Sequence, residues 1–556
     1  MTGRGKFVLT LLILAIAGIG AYKWWDRLKP SGTGAEPTAS AAAPRADSKD
    51  VQEIAAGIVE PLLACPILEP AGAYVPKDNT LDIELSEYAG YAGLIVANGG
   101  LEPTENSTFF KKHGFKVRIK LSEEESWSAL NAGRMAASAT TVDVLATHCR
   151  TFQVQVPVQI GYSRGADGIV VRKDLRRIND LKGKVLVTAQ FTEADFFLRY
   201  LAQEAGLGIN MLSTLTARPA PDQVNVVYAA DAFAAGDLFL KDLQTGANRL
   251  AGCVTWAPKT TEVVSESAGA AHLLITNKNL LIVADILVVN RGFAQANPAM
   301  VAGLVEGLLE GNQQVRENAA AHLDLVARAF KWSREEARAE LAKVHFSNMP
   351  ENLAFFSGAI DAAGSFTGIY QSAVLSYGTQ LIPDPIDPER FADLRHLQAL
   401  ETAGTFAGQQ LAIAPIRSEA TGAIEGDPLL SKDIRFLFEP NSARLDLSSP
   451  DNMENLRAIK RLLQVSPGST ILLRGHVDNA LVDKFRQQGG EGFVRQMALK
   501  AMELSKNRSA EIRRVLVEQE QADGARLETV GRGWEEPAGE DPEKNRRVEV
   551  QWFTVE

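Results

Sequence analysis

Gly161-Tyr162-Ser163-Arg164-Gly165 has the GxSxG spacing that can turn a serine into a nucleophile. That chemistry needs a strand, a sharp turn and then a helix, so that the hydroxyl stands exposed at the helix start. Here the β-prone run Gly168-Ile169-Val170-Val171-Arg172 follows instead, which disfavours a serine hydrolase. The seven histidines, at 113, 148, 272, 322, 345, 396 and 476, form neither an HExxH motif nor a pair at helical spacing, so no metal centre is expected. There is no P-loop and no GxGxxG turn. The three cysteines, Cys65, Cys149 and Cys253, are too widely spaced for a CxxC site, and one disulfide with a spare thiol stays open. Leu62-Leu63-Ala64-Cys65 imitates a lipoprotein processing box, but no charged-then-apolar leader directly precedes it. These residues therefore point to no catalytic residue, no metal and no cofactor.

The elements that would position a binding site span more than one domain. A chain of 556 residues exceeds what one core organises, so two or three domains are expected. Composition is ordinary for globular protein, with 46% hydrophobic and 23% charged residues, and a net charge of −10 argues against nucleic acid. Near the start, Arg4 and Lys6 precede an uncharged run, Phe7 to Tyr22, and Lys23-Trp24-Trp25 follows. Sixteen helical residues cover ~24 Å of a ~30 Å hydrocarbon core, and the Trp pair at the interface extends the span. Ala15-Ile16-Ala17 also fits the cleavage site of a secretion signal. The tether-like run that follows favours a retained anchor, and either reading exports the remainder. Residues 30–47 are mainly Pro, Ala, Gly, Ser and Thr with almost no large apolar side chain, which predicts a flexible linker of ~25 Å root-mean-square span.

From about Thr80 the runs LDIELSEY, FKVRIKL, VQVPVQIGY, GIVVRK, KVLVTA and LLIVADILVV alternate with helical stretches, predicting α/β layers. Val301, Leu304, Val305, Leu308 and Leu309 have the spacing of one buried helix face, and Ser333 with Glu336 forms a capping box. Several segments carry a resemblance through their order and spacing. They are residues 87–91 with 97–101, 129–133, 165–171, Asp180-Leu181-Lys182-Gly183-Lys184-Val185 and Ala284-Asp285-Ile286-Leu287-Val288-Val289. Together, from Leu81 to about Ser357, they resemble the substrate-binding proteins of nitrate, sulfonate, taurine and thiamine-precursor ABC transporters. The resemblance implies a two-lobed periplasmic-binding-protein fold of type II that closes on a small solute.

Such a trap holds its ligand at strand ends and helix N-termini. The residues expected there are Tyr88, Tyr91, Thr140, Thr141, Asp143, Ser163, Asp167, Thr192, Glu193, Trp256 and Asp285, with Arg164 and Asp195 close by. Each has a plainer reading: Thr192, Glu193 and Asp195 as a helix cap, the aromatics as core, Asp285 as a satisfied crossing residue. About half are expected to line a cleft. Acidic candidates outnumber the one basic candidate, Arg164, which favours a cationic or zwitterionic ligand over a bare anion.

A polar stretch, residues 401–432, then precedes a strand at Ile434-Arg435-Phe436-Leu437-Phe438, a helix from Asn452 to Leu463 and a second strand at Thr470-Ile471-Leu472-Leu473-Arg474. Gly475-His476-Val477-Asp478, Leu504-Ser505-Lys506-Asn507-Arg508-Ser509-Ala510 and Asn545-Arg546-Arg547-Val548-Glu549 resemble the OmpA-like peptidoglycan-binding domain, a βαβαβ module. That resemblance implies a grip on the diaminopimelate of the peptide stem, a zwitterion matched by Asp478 and by the planar fork of Arg508, with Arg547 in support. Their plainer reading is a salt bridge from turn to helix. Val477 replaces the usual Thr, and a polar insert, Ala480 to roughly Glu503, doubles the usual interval from Asp478 to Arg508. It is expected to extend the loop and the recognition helix or to cover part of the cleft. Phe7 to Tyr22 carries no Asp, Glu, His, Lys or Arg, which disfavours the ion-driven torque of flagellar stators that share the anchor-then-OmpA layout.

The expected architecture is α/β: a transmembrane anchor or signal at 1–29, a linker at 30–47, a two-lobed solute domain at 48–400, a linker at 401–432 and the OmpA-like module at 433–556. The expected partners are an unknown small solute, peptidoglycan, the membrane through the N-terminal helix, and an inner-membrane protein. The bulk of the chain would lie in the periplasm of a two-membrane bacterium, attached by one inner-membrane span. A structural scaffold whose receptor-like domain holds a protein is the second reading, and an enzyme on the receptor fold the third.

Overall fold

The structure, a computed structural model, describes residues 48–122, 126–359, 364–413, 428–439 and 442–554. The anchor at 1–29 and the linker at 30–47 lie outside the described residues, as do residues 414–427 of the second linker. Among the described residues no helix is long and apolar enough to cross a membrane.

The strands form in the order their β-branched runs suggest. β1 (Thr80–Ser86), β2 (Lys116–Ser122), β3 (Ala137–Thr141) and β4 (Val154–Ser163) open the first lobe. The chain then crosses to a second lobe built from β5 (Asp167–Arg172), β6 (Val185–Ala189), β7 (Ile209–Met211), β8 (Val224–Ala229), β9 (Gly252–Trp256) and β10 (Ala271–Thr276). It returns through β11 (Ala284–Asn290) and β12 (Val344–Phe346). The two six-stranded sheets run β12-β4-β11-β3-β1-β2 and β10-β5-β9-β6-β8-β7. Parallel pairs dominate one half of each sheet and antiparallel pairs the other, with β11 antiparallel to both β3 and β4. Of the run LLIVADILVV, only the part from Ala284 is strand, and residues 280–283 belong to the crossing.

Two crossings, β4 to β5 and β10 to β11, are stitched to each other. Arg164 Nε donates to the Lys278 carbonyl at 2.9 Å, and the Asn277 side chain accepts from Gly165 N at 2.7 Å and donates to Asp167 Oδ2 at 2.8 Å. Gly165, at φ 110°, takes a conformation that suits glycine. The elbow reading of Ser163 fails here, because the serine ends a strand and another strand follows.

In lobe 1 the long helix α1 (Pro298–Phe330) carries the expected stripe: Val301, Leu304, Val305, Leu308 and Leu309 are at most 1% exposed. Each such burial contributes roughly 1.5–3 kcal/mol. The helix lies so close to helix Ala92–Asn98 that a Cβ at Gly311 would meet the Gly93 carbonyl at 2.0 Å. The Ser333–Glu336 capping box is present in both directions.

The C-terminal module has a four-stranded sheet rather than three strands: β13 (Leu430–Ile434), β14 (Thr470–Gly475), β15 (Leu527–Gly531) and β16 (Val548–Phe553), in the order β13-β16-β14-β15. Helices α2 (Pro450–Val465) and α3 (Val482–Glu518) connect them. The first strand begins four residues before the expected Ile434, because Leu430 to Ile434 find partners along β16 and the Phe-rich stretch after them does not. The insert is helical, the first part of α3, broken at Gly489 and Gly490. The module docks on lobe 2. Asn179 exchanges two 2.8 Å bonds with the Ser431 backbone, Ile178 N donates to Leu429 O, and Leu281 N in the second crossing donates to Val465 O at 2.9 Å. Residues 401–413 are not linker either: Ala412 N donates to Glu351 Oε1, and Met349 N to Gln409 Oε1.

Candidate functional site

A cleft of 370 Å³ separates the lobes. Ten of the eleven expected ligand residues line it: Tyr88, Tyr91, Thr140, Thr141 and Ser163 from lobe 1, Asp285 at the start of β11, and Asp167, Thr192, Glu193 and Trp256 from lobe 2. The reason is topological. The lobe-1 set sits at the ends of β1, β3 and β4, and the lobe-2 set at the start of β5, the end of β9 and the turn after β6, all facing the crossing. The exception is Asp143, which is fully buried in the first turn of helix Val142–Thr147 and does not line the cleft. Arg164 and Asp195 do not line it either. Arg164 holds the crossings together, and Asp195 accepts from Phe191 N at 3.2 Å and pairs with Arg199 at 2.9 Å. Thr192 occupies a cap position, but its hydroxyl donates to the Ala189 carbonyl instead.

Several lining residues escaped the sequence reading. Leu62, Pro66 and Leu68 lie on an extended strap that bonds Gln190 in lobe 2 through Leu62, and lobe 1 through the Glu69–Arg134 pair at 2.7 Å. Trp127, His148, Gln190 and Phe191 also line the cleft. The strap has no helical or strand period; its only signal is large apolar residues interleaved with prolines.

Burial governs the electrostatics. It pushes the Asp167 carboxyl up to about 6, although bonds from Ser163 and Asn277 pull it back. Asp143 is pushed up to about 7 for the same reason, with a bond from Thr141 opposing. Desolvation depresses His148 to about 4, so its imidazole is neutral at physiological pH. The Tyr88 phenol is raised well above its ordinary value by burial and then by the charge of Asp285, with Asp167 and Glu193 adding to it. Tyr91 donates to Asp285 Oδ1 at 3.2 Å, and the Tyr88 and Tyr91 rings meet edge-on at 5.3 Å.

A second cleft, of 180 Å³, opens in the C-terminal module and is lined by Arg435, Phe438, His476, Arg508, Arg546 and Arg547 among others. Arg508 stands over the Phe438 ring at 4.8 Å, its Nε buried and without a hydrogen-bond partner, and burial lowers its affinity for the proton. Asp478 is paired not with Arg508 but with Arg546, at 2.8 Å, and lies beside the cleft rather than among its lining residues. Arg547 reaches the cleft but also pairs with Asp433 at 2.9 Å. Arg546, adjacent to Arg547 in sequence, lines the cleft and was not among the expected residues. No residue of the insert lines this cleft. His476, Glu536 and Glu549 gather nearby, but Arg474 already bridges the two carboxylates, at 2.8 and 2.6 Å, so the cluster reads as an ion-pair network and not as a metal site.

Among curated proteins none matches the chain. Solved structures with partial likeness include the alkanesulfonate-binding protein SsuA of Xanthomonas axonopodis pv. citri bound to MOPS, at 15% identity and a TM-score of 0.42, covering 58% of this chain and all of that one. The periplasmic aliphatic sulphonate-binding protein SsuA of Escherichia coli aligns at 17% identity and 0.42, covering 57% of this chain and 97% of that one. The periplasmic nitrate-binding protein NrtA of Synechocystis PCC 6803 aligns at 14% identity and 0.42, over 60% of this chain and 90% of that one. Residues 437–551 match the model of the OmpA family, and the chain carries an OmpA domain in that span.

Proposed function

We propose that the protein is a non-enzymatic periplasmic solute receptor that also grips peptidoglycan, and that its N-terminal segment anchors it in the inner membrane. The observation that carries the reading is the inter-lobe cleft, where side chains from both halves of a two-crossing fold meet around 370 Å³, in the same chain as an OmpA domain. A cavity of that size suits a small metabolite. Lobe closure would bring Asp285 and Tyr91 toward Glu193 and Trp256 and commit the solute, and a solute that favours the closed form shifts the population toward it.

For the wall, the reading assigns Arg508 and Arg546 to the ligand carboxylate and Asp478 to its ammonium, with Arg547 as support. The arginine-lined cleft supports it, since a guanidinium fork holds a carboxylate through two parallel bonds. Denaturing the purified full-length chain and identifying released small molecules by mass spectrometry tests the receptor. No released molecule, together with no thermal shift across a metabolite panel, overturns that reading in favour of a protein-binding scaffold. Sedimentation with purified peptidoglycan tests the wall site: Arg508→Ala and Asp478→Ala should each reduce pelleting, and unchanged pelleting rejects the assignment.

A further inference from the structure

We propose that the inter-lobe cleft takes an organic cation, an ammonium carried on a small apolar body. The inference rests on reading this cleft as a solute site and names the charge of what it holds. Three carboxylates meet there, Asp285 from lobe 1 with Asp167 and Glu193 from lobe 2, and all three act on the charge of the Tyr88 hydroxyl. Among the described lining residues there is no lysine or arginine, and the one histidine, His148, is held neutral. The nearby guanidiniums are committed elsewhere: Arg164 to the crossing carbonyl of Lys278, Arg199 to Asp195 and to the Tyr228 hydroxyl at 2.8 Å.

A helix N-terminus at the cleft would ordinarily attract an anion. The start of helix Glu193–Glu204 is already supplied with negative charge by this chain's own residues, because Asp195 takes the Phe191 N–H and Glu193 stands in the first turn. A sulfonate or nitrate entering here would meet three carboxylates and no lysine or arginine among the described lining residues, which is a costly arrangement for a buried anion.

A second observation, independent of the carboxylates, points to a bound group. The Tyr88 hydroxyl and His148 Nδ1 are buried, belong to lining residues and make no hydrogen bond of sound geometry among the described residues. The two residues are 9% and 6% exposed. Buried polar atoms are paired in the great majority of cases, so two such atoms around one cleft call for a ligand or ordered water that pairs with them. Tyr88, Tyr91, Trp127, Phe191 and Trp256 supply aromatic surface, and an ammonium over such faces gains from the ring quadrupole where a carboxylate or sulfonate does not.

The test is calorimetric titration of the full-length chain with choline and with putrescine, set against taurine and nitrate. Glu193→Gln serves as the main variant, because its side chain stands at a helix start rather than in the sheet. Asp285→Asn is the second. An ammonium probe should bind at least tenfold tighter than either anion, and Glu193→Gln should weaken it about tenfold while the variant keeps the wild-type melting temperature without ligand. Tighter binding of taurine or nitrate than of either amine overturns the cation assignment and leaves the receptor reading standing. Binding of the amines that neither variant weakens also overturns it. No response to any probe, with no small molecule released on denaturation, defeats the receptor reading itself.

Discussion

Asp143 provides the sharpest test of the electrostatics around the cleft. Its carboxyl is fully buried, neither oxygen has a geometrically sound hydrogen-bond partner, and it is pushed up to about 7 from its ordinary value of 3.8. A folded value above the unfolded one means that the native state binds the proton more tightly. Stability is therefore undiminished below about pH 4, falls as pH rises from about 4 to 7, and is flat above. The span of about 3 units corresponds to ~4 kcal/mol at 1.36 kcal/mol per unit. Asp143→Asn keeps the shape and removes the ionisation, so the variant carries no such slope. It should match wild type to within the cost of an imperfectly bonded amide, ~1–3 kcal/mol, at pH 4. At pH 8 its relative stability should rise by about 4 kcal/mol. Calorimetric melting of the ligand-free chain at both pH values measures this, and at about 2 °C per kcal/mol the relative shift is on the order of 8 °C. The informative quantity is the change in the variant-minus-wild-type difference between the two pH values, because everything common to both proteins cancels. A difference that stays constant from pH 4 to pH 8 refutes the buried, neutral carboxyl.

Gly311→Ala opposes two effects: alanine is the better helix former by ~1 kcal/mol, but its Cβ would meet the Gly93 carbonyl at 2.0 Å, so a net loss of ~1–3 kcal/mol should appear in thermal melting. Ser333→Ala removes one half of a reciprocal capping box and should cost about 1 kcal/mol by the same measurement. Glu549 is partly buried, which raises its carboxyl, but bonds from His476 and Gln551 and the charge of Arg474 outweigh this and hold it at about 2. Because that folded value lies below the unfolded one, the stability it supplies is present above about pH 4.5 and is lost as pH falls toward 2. Glu549→Gln should therefore destabilise the C-terminal module at pH 7, with the difference vanishing in acid-unfolding curves near pH 2.

Much of this arrangement is legible in sequence because two kinds of signal are local. β-Branched runs marked six of the twelve strands of the two lobes, β1, β2, β4, β5, β6 and β11, and the ends of these carry part of the cleft; hence Tyr88, Ser163 and Asp167 come together although they lie on separate elements. What sequence does not carry is who pairs with whom across space. Asp478 and Arg508 look like partners by family pattern, yet Arg546 is the nearer guanidinium because β16 brings its segment beside β14. The strap from Val59 to Tyr74 was invisible since an extended segment with exposed Leu63 and Ile67 has no period to detect. The Phe-rich stretch Arg435 to Phe438 reads as a strand on alternation alone, but strand register was decided by β16, which takes up Leu430 to Ile434.

The docking of the OmpA module has a mechanical consequence. Helix Ser48–Ala56 packs on lobe 2, with Ile54 fully buried and Val59 bridged to Tyr228, so the chain enters the described region on the same lobe that carries the module. On the proposed reading, in which the N-terminal segment is anchored and the module holds the wall, tension between the two would run through lobe 2 and leave lobe 1 slack. Lobe 1, with Tyr88, Tyr91 and Thr141, would swing without bearing load, and an envelope stretched by turgor would not have to open the trap in order to be held.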